Sequence, residues 1–275
     1  MIVTVLGSSG SVPGPGNPCS GYLVEHRGHR LLLDLGTGAF GNLLTYARPE
    51  LIDTVVVSHR HGDHSADLAA LAYAQDKVTA RAVPTRVIAP AGTRTRVGRS
   101  SPLAFEDARP GELECGPFRL RLAPVRHSVE TYAVRVEAGG RSLTYTGDSG
   151  PCRGLVDLAR GSGLLLAEAA LGPGDEPGAP PHGWDGDDTG PPPHGWDGDD
   201  TGPPPHHLTA RQTGELAAAA GAGLLVVTHL RPWEDAGRSL AAAAERFAGP
   251  VVPARPGLRL APGGPARAPN PKEET

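Results

Sequence analysis

Residues 52–64 read Ile-Asp-Thr-Val-Val-Val-Ser-His-Arg-His-Gly-Asp-His, an apolar run that opens directly into four potential metal ligands. The Val55-Val56-Val57 stretch is β-branched and uninterrupted, the pattern of a strand buried on both faces. His59, His61, Asp63 and His64 then follow within six residues. Imidazole and carboxylate side chains are the ligand types expected for zinc, with manganese or iron as alternatives. In a loop at the C-terminal end of a strand, this spacing can turn two side chains toward one ion and two toward another.

Three further candidates stand at the ends of other apolar runs. His127 follows Phe118–Ala123, in Pro124-Val125-Arg126-His127-Ser128. Asp148 follows Leu143-Thr144-Tyr145-Thr146-Gly147, where a carboxylate could bridge two ions, and His229 follows Leu225-Val226-Val227-Thr228. Each lies just past a β-rich segment, so all would project from one edge of a sheet.

The surrounding pattern supplies the sheets. Residues 2–6, 21–25 and 30–34 read as strands, with Gly28 turning the second into the third. A short helix over Ala39–Tyr46, a strand over Ile52–Ser58, a helix over Ser65–Gln75 and a strand over Thr85–Ala89 come next. Residues 118–123, 131–137 and 141–146 form an expected meander, with Gly139-Gly140 as a hairpin turn. The second half alternates: helix Leu155–Arg160, strand Leu164–Ala167, helix Ala210–Ala220 capped by Thr209, strand Leu224–Thr228, helix Ser239–Phe247, and a closing β segment in 250–260. Strands followed by α/β alternation fit an α/β fold of two sheets packed face to face with helices outside.

Taken together, strand–His-x-His-x-Asp-His, a later His, Thr-Gly-Asp and Thr-His after a strand resemble the metallo-β-lactamase superfamily over residues 1–260. The resemblance implies a four-layer αββα sandwich of two mixed sheets. It also implies two divalent metal ions, with His59, His61 and His127 on one, Asp63, His64 and His229 on the other, and Asp148 between them. A hydroxide between the ions would be the nucleophile, its pKa lowered by both charges.

Within that superfamily the chain is most similar to the ribonuclease Z-like phosphodiesterase branch. Leu6-Gly7-Ser8-Ser9-Gly10-Ser11-Val12-Pro13 resembles its opening strand and glycine loop, and His207-Leu208-Thr209 its His-x-Thr motif. The resemblance makes His207 a phosphate contact or leaving-group acid, oriented by Glu168, and counts both with Asp63 as catalytic residues. A buried carboxylate ending an apolar strand also calls for a partner on physical grounds. Two departures stand out. His127 and Asp148 are separated by only residues 128–147, which leaves no room for the tRNA-clamping arm of ribonuclease Z, and Ala167-Glu168-Ala169-Ala170 replaces the branch's His-Glu-Ala-Thr. The expected substrate is therefore a small or nucleotide-type phosphodiester, ahead of an ester, thioester or lactone, with tRNA 3′ processing behind both. The resemblance also suggests a homodimer.

Composition narrows the partners. A net charge of −4, with Lys only at 77 and 272, provides no basic field for tight binding of long nucleic acid. No apolar stretch reaches the ~18–20 residues that cross a bilayer. Met1-Ile2-Val3-Thr4-Val5-Leu6 reads as a first strand and not as a signal peptide. Cys19, Cys115 and Cys152 are odd in number and far apart, so no disulfide framework is expected and a cytoplasmic setting is. No Gly-rich dinucleotide motif supports an oxidoreductase.

Much of the chain's 38 Gly and 29 Pro is concentrated in 172–206 and 261–275. The first of these holds a perfect tandem repeat, Gly183–His194 recurring as Gly195–His206. It is expected to be an inserted surface loop, with a lid or a weak metal trap through His182, His194 and His206 as the functional alternative. The tail from Ala261 to Thr275 is expected to be disordered. Trp233, shortly after His229, is a candidate for lining the pocket.

Overall fold

The computed structural model describes residues 1–79, 83–97, 101–171 and 206–263. The repeat, except for its final His206, and the tail beyond 263 lie outside the described residues. Two seven-stranded sheets are present. The first is built from β1 (Ile2–Gly7), β2 (Gly21–His26), β3 (His29–Leu35), β4 (Thr54–Val56), β5 (Thr85–Ala89), β6 (Leu103–Asp107) and β14 (Arg259–Leu260), in the order β14-β1-β2-β3-β4-β5-β6. The second contains β7 (Gly111–Cys115), β8 (Phe118–Pro124), β9 (Tyr132–Ala138), β10 (Arg141–Tyr145), β11 (Leu164–Glu168), β12 (Leu225–Thr228) and β13 (Val251–Pro253), in the order β13-β12-β11-β10-β9-β8-β7.

Each sheet is mixed in the same way. From β14 to β3 and from β7 to β10 neighbours are antiparallel; from β3 to β6 and from β10 to β13 they are parallel. Parallel strands end on the same side, and that fact later gathers the site.

Alternation along the strands separates three apolar interfaces. Leu31, Leu33, Val56 and Ile88 of the first sheet meet Leu120, Val134, Tyr145, Leu166 and Val226 of the second in the core between them. Leu32, Val55, Val57 and Val87 point the other way, onto α1 (Ala39–Leu43) and α3 (Leu68–Tyr73). Leu165, Ala167, Leu225 and Val227 likewise pack on α4 (Arg153–Ala159), α5 (Ala210–Ala220) and α6 (Ala236–Ala244). Val55-Val56-Val57 is therefore buried on both faces, and the layers are α, β, β, α. Among the described residues no helix is long and apolar enough to cross a membrane.

Helix ends follow their caps more closely than their apolar period. Thr209 and Gln212 form a reciprocal capping box that starts α5, and Gly221 ends it at φ 61°. Asp235 accepts from Gly237 and Arg238 N–H groups, so α6 begins at Ala236 and not at Ser239. The expected helix from Ser65 to Gln75 is three pieces: a single turn α2 (Gly62–Ser65), then α3, then a π turn over Ala74–Val78. The strand of residues 52–58 is shorter, only Thr54–Val56, because Val57 and Ser58 already turn into the ligand loop. β6 and β7 have no counterpart in the sequence reading. Both lie at sheet edges and carry acidic residues on their exposed positions, such as Glu112 and Glu114, which hides them from a search for apolar alternation.

Leu33 is fully buried in the core between the sheets. Leu33→Ala should lower unfolding free energy by about 2–5 kcal/mol. Urea denaturation should show a lower midpoint with an unchanged slope.

Candidate metal centre

Every ligand candidate stands at the C-terminal end of a strand on the shared side. His59 follows β4, His127 follows β8, Asp148 follows β10 and His229 follows β12. The turn of α2 starts at His61, so Asp63 and His64 project from a helical turn and not from an open loop. The loop after β1 closes over them. Ser11 N–H donates to Asp63 Oδ2 at 3.0 Å, and His229 N–H donates to Ser8 O at 2.9 Å. That approach needs glycine: a Cβ on Gly10 would lie 2.4 Å from the His229 carbonyl oxygen.

The side chains form two adjoining clusters. His59, His61 and His127 bring one nitrogen each within 4.8 Å of the others, and Asp63, His64, Asp148 and His229 do the same with one donor atom each. In the first, His59 Nε2 is 3.0 Å and His127 Nε2 is 3.3 Å from His61 Nδ1. In the second, His229 Nε2 is 3.1 Å from Asp63 Oδ2 and 3.2 Å from His64 Nε2. Asp148 faces both. Its Oδ2 lies 3.7 Å from His59 and 3.9 Å from His127, while its Oδ1 lies 3.2 Å from His64 and 3.3 Å from His229.

The outer ring nitrogens of His59, His127 and His64 are held by neighbours, which aims the inner ones at the clusters. Ser58 Oγ gives its proton to Asp34 Oδ2 at 2.8 Å and so accepts from His59 Nδ1 at 3.0 Å. His127 Nδ1 donates to the His206 carbonyl at 3.0 Å. His64 Nδ1 donates to Asp34 Oδ2 at 2.7 Å. Burial holds His59 well below the usual imidazole range and His127 at about 3, so both rings are neutral and offer lone pairs inward. His61 is lowered as well, by burial and in part by the Arg60 guanidinium.

The second cluster is anionic. Burial works against charge on Asp148, but His229, His64 and His59 outweigh it and keep the carboxyl well below its ordinary range. His64 is pulled up against burial by Asp148 and Asp34. Asp148 Oδ1 is fully buried and makes no hydrogen bond, although two imidazole nitrogens stand within 3.3 Å. An ionised buried oxygen without a hydrogen-bond donor is costly. Five imidazoles and two carboxylates gathered at one point are the donor types of a divalent cation, which would displace the His64 proton, and the residues present fit one.

Beside the clusters, Glu168 is fully buried at the end of β11. It accepts from Ser149 N–H at 2.7 Å, from Ala170 N–H at 3.0 Å and from His207 Nδ1 at 3.0 Å. His207 is thereby fixed with its ring 5.0 Å from that of His127 and 5.9 Å from that of His229. Burial opposes a charge on His207, but Glu168 and Asp148 lift it to about 9. Trp233 stays 67% exposed on the turn after His229.

Comparison with known proteins agrees with this architecture. The family model described as a β-lactamase superfamily domain matches residues 29–230. An uncharacterized protein of Mycobacterium tuberculosis, Rv1339, is 34% identical over 270 residues, covering 90% of this chain and 88% of that one. Ribonuclease Z of Mycobacterium avium is 28% identical over 279 residues, covering 90% and 94%. The crystal structure of the metallo-β-lactamase fold protein YhfI from Bacillus subtilis superposes with a TM-score of 0.78 at 25% identity, covering 94% of this chain and 99% of that one. The chain belongs to the metallo-β-lactamase superfamily. Family and relatives indicate a metallo-hydrolase, and membership implies divalent metal binding.

One residue at the centre of this superfamily member escaped the sequence reading. Asp34 is fully buried and takes four hydrogen bonds: from Ser58 N–H at 2.6 Å and Ser58 Oγ at 2.8 Å, His64 Nδ1 at 2.7 Å and Tyr145 Oη at 2.7 Å. Its only signal is a lone carboxylate in Leu31-Leu32-Leu33-Asp34-Leu35. Its backbone is left-handed, at φ 57°, as are Ser11 at 62° and His229 at 57°. Among the described residues, three of the four non-glycine residues with positive φ therefore touch this centre, where local strain of about 1–3 kcal/mol each is tolerated for placement. Asp34→Asn should weaken divalent-metal affinity by about 10–100-fold. Competition against a fluorescent chelator reads this, and an unchanged affinity would remove Asp34 from the support of the centre.

Proposed function

We propose that the chain is a phosphodiesterase that hydrolyses a small or nucleotide-type phosphodiester with two divalent ions, zinc being expected and manganese or iron the alternatives. The observation that carries this reading is the His207–Glu168 pair beside the clusters. A buried carboxylate accepting from Nδ1 leaves the other ring nitrogen of His207 as the working end. An ester, thioester or lactone needs no such group on its leaving side as strongly as an alkoxide leaving from phosphorus does.

Two bound ions would supply Lewis acidity for the phosphoryl oxygens and for activation of the attacking water. His59, His61, His127 and Asp148 would hold one, and Asp63, His64, His229 and Asp148 the other. Asp63 also receives Ser11 N–H, which ties the glycine loop to the reacting side. His207 binds the phosphate and gives a proton to the departing oxygen, and Glu168 holds its orientation. The span from His127 to Asp148 contains β9, β10 and short turns alone. That absence of an arm supports a small substrate over a tRNA precursor. The three cysteines are free and buried, which supports a cytoplasmic enzyme.

Turnover of bis(p-nitrophenyl) phosphate by metal-loaded protein should fall by at least about 10³-fold in His61→Ala and Asp63→Ala. On a phosphodiester with an alkoxide leaving group, such as a ribose hydroxyl, His207→Ala should lower kcat by about 10²–10⁴-fold, and the loss should be much smaller on bis(p-nitrophenyl) phosphate, whose nitrophenolate leaves without a proton. Elemental analysis should give two ions per chain. Lactone or thioester cleavage that survives His207→Ala, with no phosphodiester turnover in the unaltered enzyme, would move the function to the other ester class.

A further inference from the structure

The loop after β5 carries a short helical turn, Thr93–Arg96, on the same side of the first sheet as the metal clusters. It is a built feature. Gly92 begins it in the left-handed region at φ 84°, Thr95 Oγ1 donates to Gly92 O at 2.7 Å, and Thr93 is fully buried beneath it. Arg94 and Arg96 are exposed on this turn, and Arg60 is exposed between the ligands His59 and His61. The pieces touch: Arg96 Nη2 donates to Arg60 O at 3.0 Å, and a Cβ on Gly92 would lie 3.6 Å from Arg60 Cδ.

These three guanidiniums differ from many others in the molecule. Arg86 is held by Glu106 at 2.8 Å, Arg119 by Glu112 at 2.6 Å, Arg135 by Glu137 at 2.7 Å and Arg231 by Glu234 at 2.6 Å. Among the described residues Arg60, Arg94 and Arg96 have no ion-pair partner; Arg94 lies 5.9 Å from the Phe105 ring centroid. The nearby carboxylate, Glu130, accepts instead from Ala91 N–H at 3.3 Å and Tyr132 Oη at 2.8 Å. A chain of net charge −4 thus concentrates uncompensated positive charge beside the first ligand pair. Exposed guanidiniums that no carboxylate holds are available as charge-assisted donors to an anion.

We propose that Arg94 and Arg96, with Arg60, form an anion subsite for a second phosphoryl group of the substrate. The preferred substrate class is then a phosphodiester that carries a further phosphate near the scissile one. Guanidinium groups suit this, since they bind phosphate oxygens in pairs and stay charged at every working pH. The inference rests on the phosphodiesterase reading for its reaction, but the subsite can be measured without turnover.

Two substrates differing in one group test it: thymidine 5′-(4-nitrophenyl phosphate), with and without a 3′-phosphate. The unaltered enzyme should favour the 3′-phosphorylated form by about tenfold in kcat/KM, the size of one or two exposed charge-assisted contacts. Arg94→Gln/Arg96→Gln should abolish that preference through KM; because Arg96 also donates to Arg60 O, the ratio between the two substrates is the readout and not the rate on the unphosphorylated one. Arg94→Lys/Arg96→Lys should keep most of it. Calorimetry on the metal-loaded protein should show thymidine 3′,5′-bisphosphate binding more tightly than the 5′-monophosphate, with the margin lost in the Gln variant. Binding that behaves this way without turnover of either ester would keep the subsite and overturn the phosphodiesterase reading. Equal treatment of both esters together with equal binding of both nucleotides would overturn the subsite.

Discussion

A single buried carboxylate, Asp34, joins the two sheets at the point where the site is assembled. It belongs to β3 of the first sheet, yet it accepts from Tyr145 of β10 in the second, and from Ser58 and His64 of the ligand loop. Removing it would leave those donors buried without an acceptor, each at a cost of about 1–3 kcal/mol. Asp34 itself is tolerable only because all four donors reach it, so neither side of the network stands alone. The left-handed backbone at Asp34 is the local cost of aiming one side chain out of a leucine-rich strand.

That junction explains why the clusters are so dense. Parallel strands in each sheet end on one side, which places His59, Asp148, Glu168 and His229 along two facing edges. Asp34 and Tyr145 then fix how those edges meet. Asp148 can face both clusters only because it emerges from β10, next to β11 and opposite the ligand loop. The alternation of leucines and valines across three apolar interfaces sets the sheet separation, and the polar network sets the register at the rim.

The candidate ligands were legible in the sequence because each breaks an apolar run with a residue type that rarely sits there unpaired. His59 to His64, His127, Asp148 and His229 all share that signature, and the structure brings them together. The sandwich was legible for the same reason: strands buried on both faces, like Val55–Val57, leave few alternatives to a layered fold. Asp34 was not, since one acidic residue within the strand of residues 30–34 carries no sign of partners that lie up to 111 residues away in sequence. β6 and β7 were missed because edge strands expose half their residues and carry charge there. The turn at Gly62–Ser65 was missed because its helical geometry is fixed by contacts with β3 and the glycine loop, not by propensity.

His207 ends up beside His127 and His229 through a contact that runs from the last residue of the tandem repeat: the His206 carbonyl orients His127, and His207 meets Glu168. The capping box at Thr209 and Gln212 then anchors α5 immediately afterwards. Whatever the preceding residues do, their C-terminal end is pinned by three independent bonds within four residues. The constraint on His127, His207 and α5 begins at His206 and runs forward along the chain.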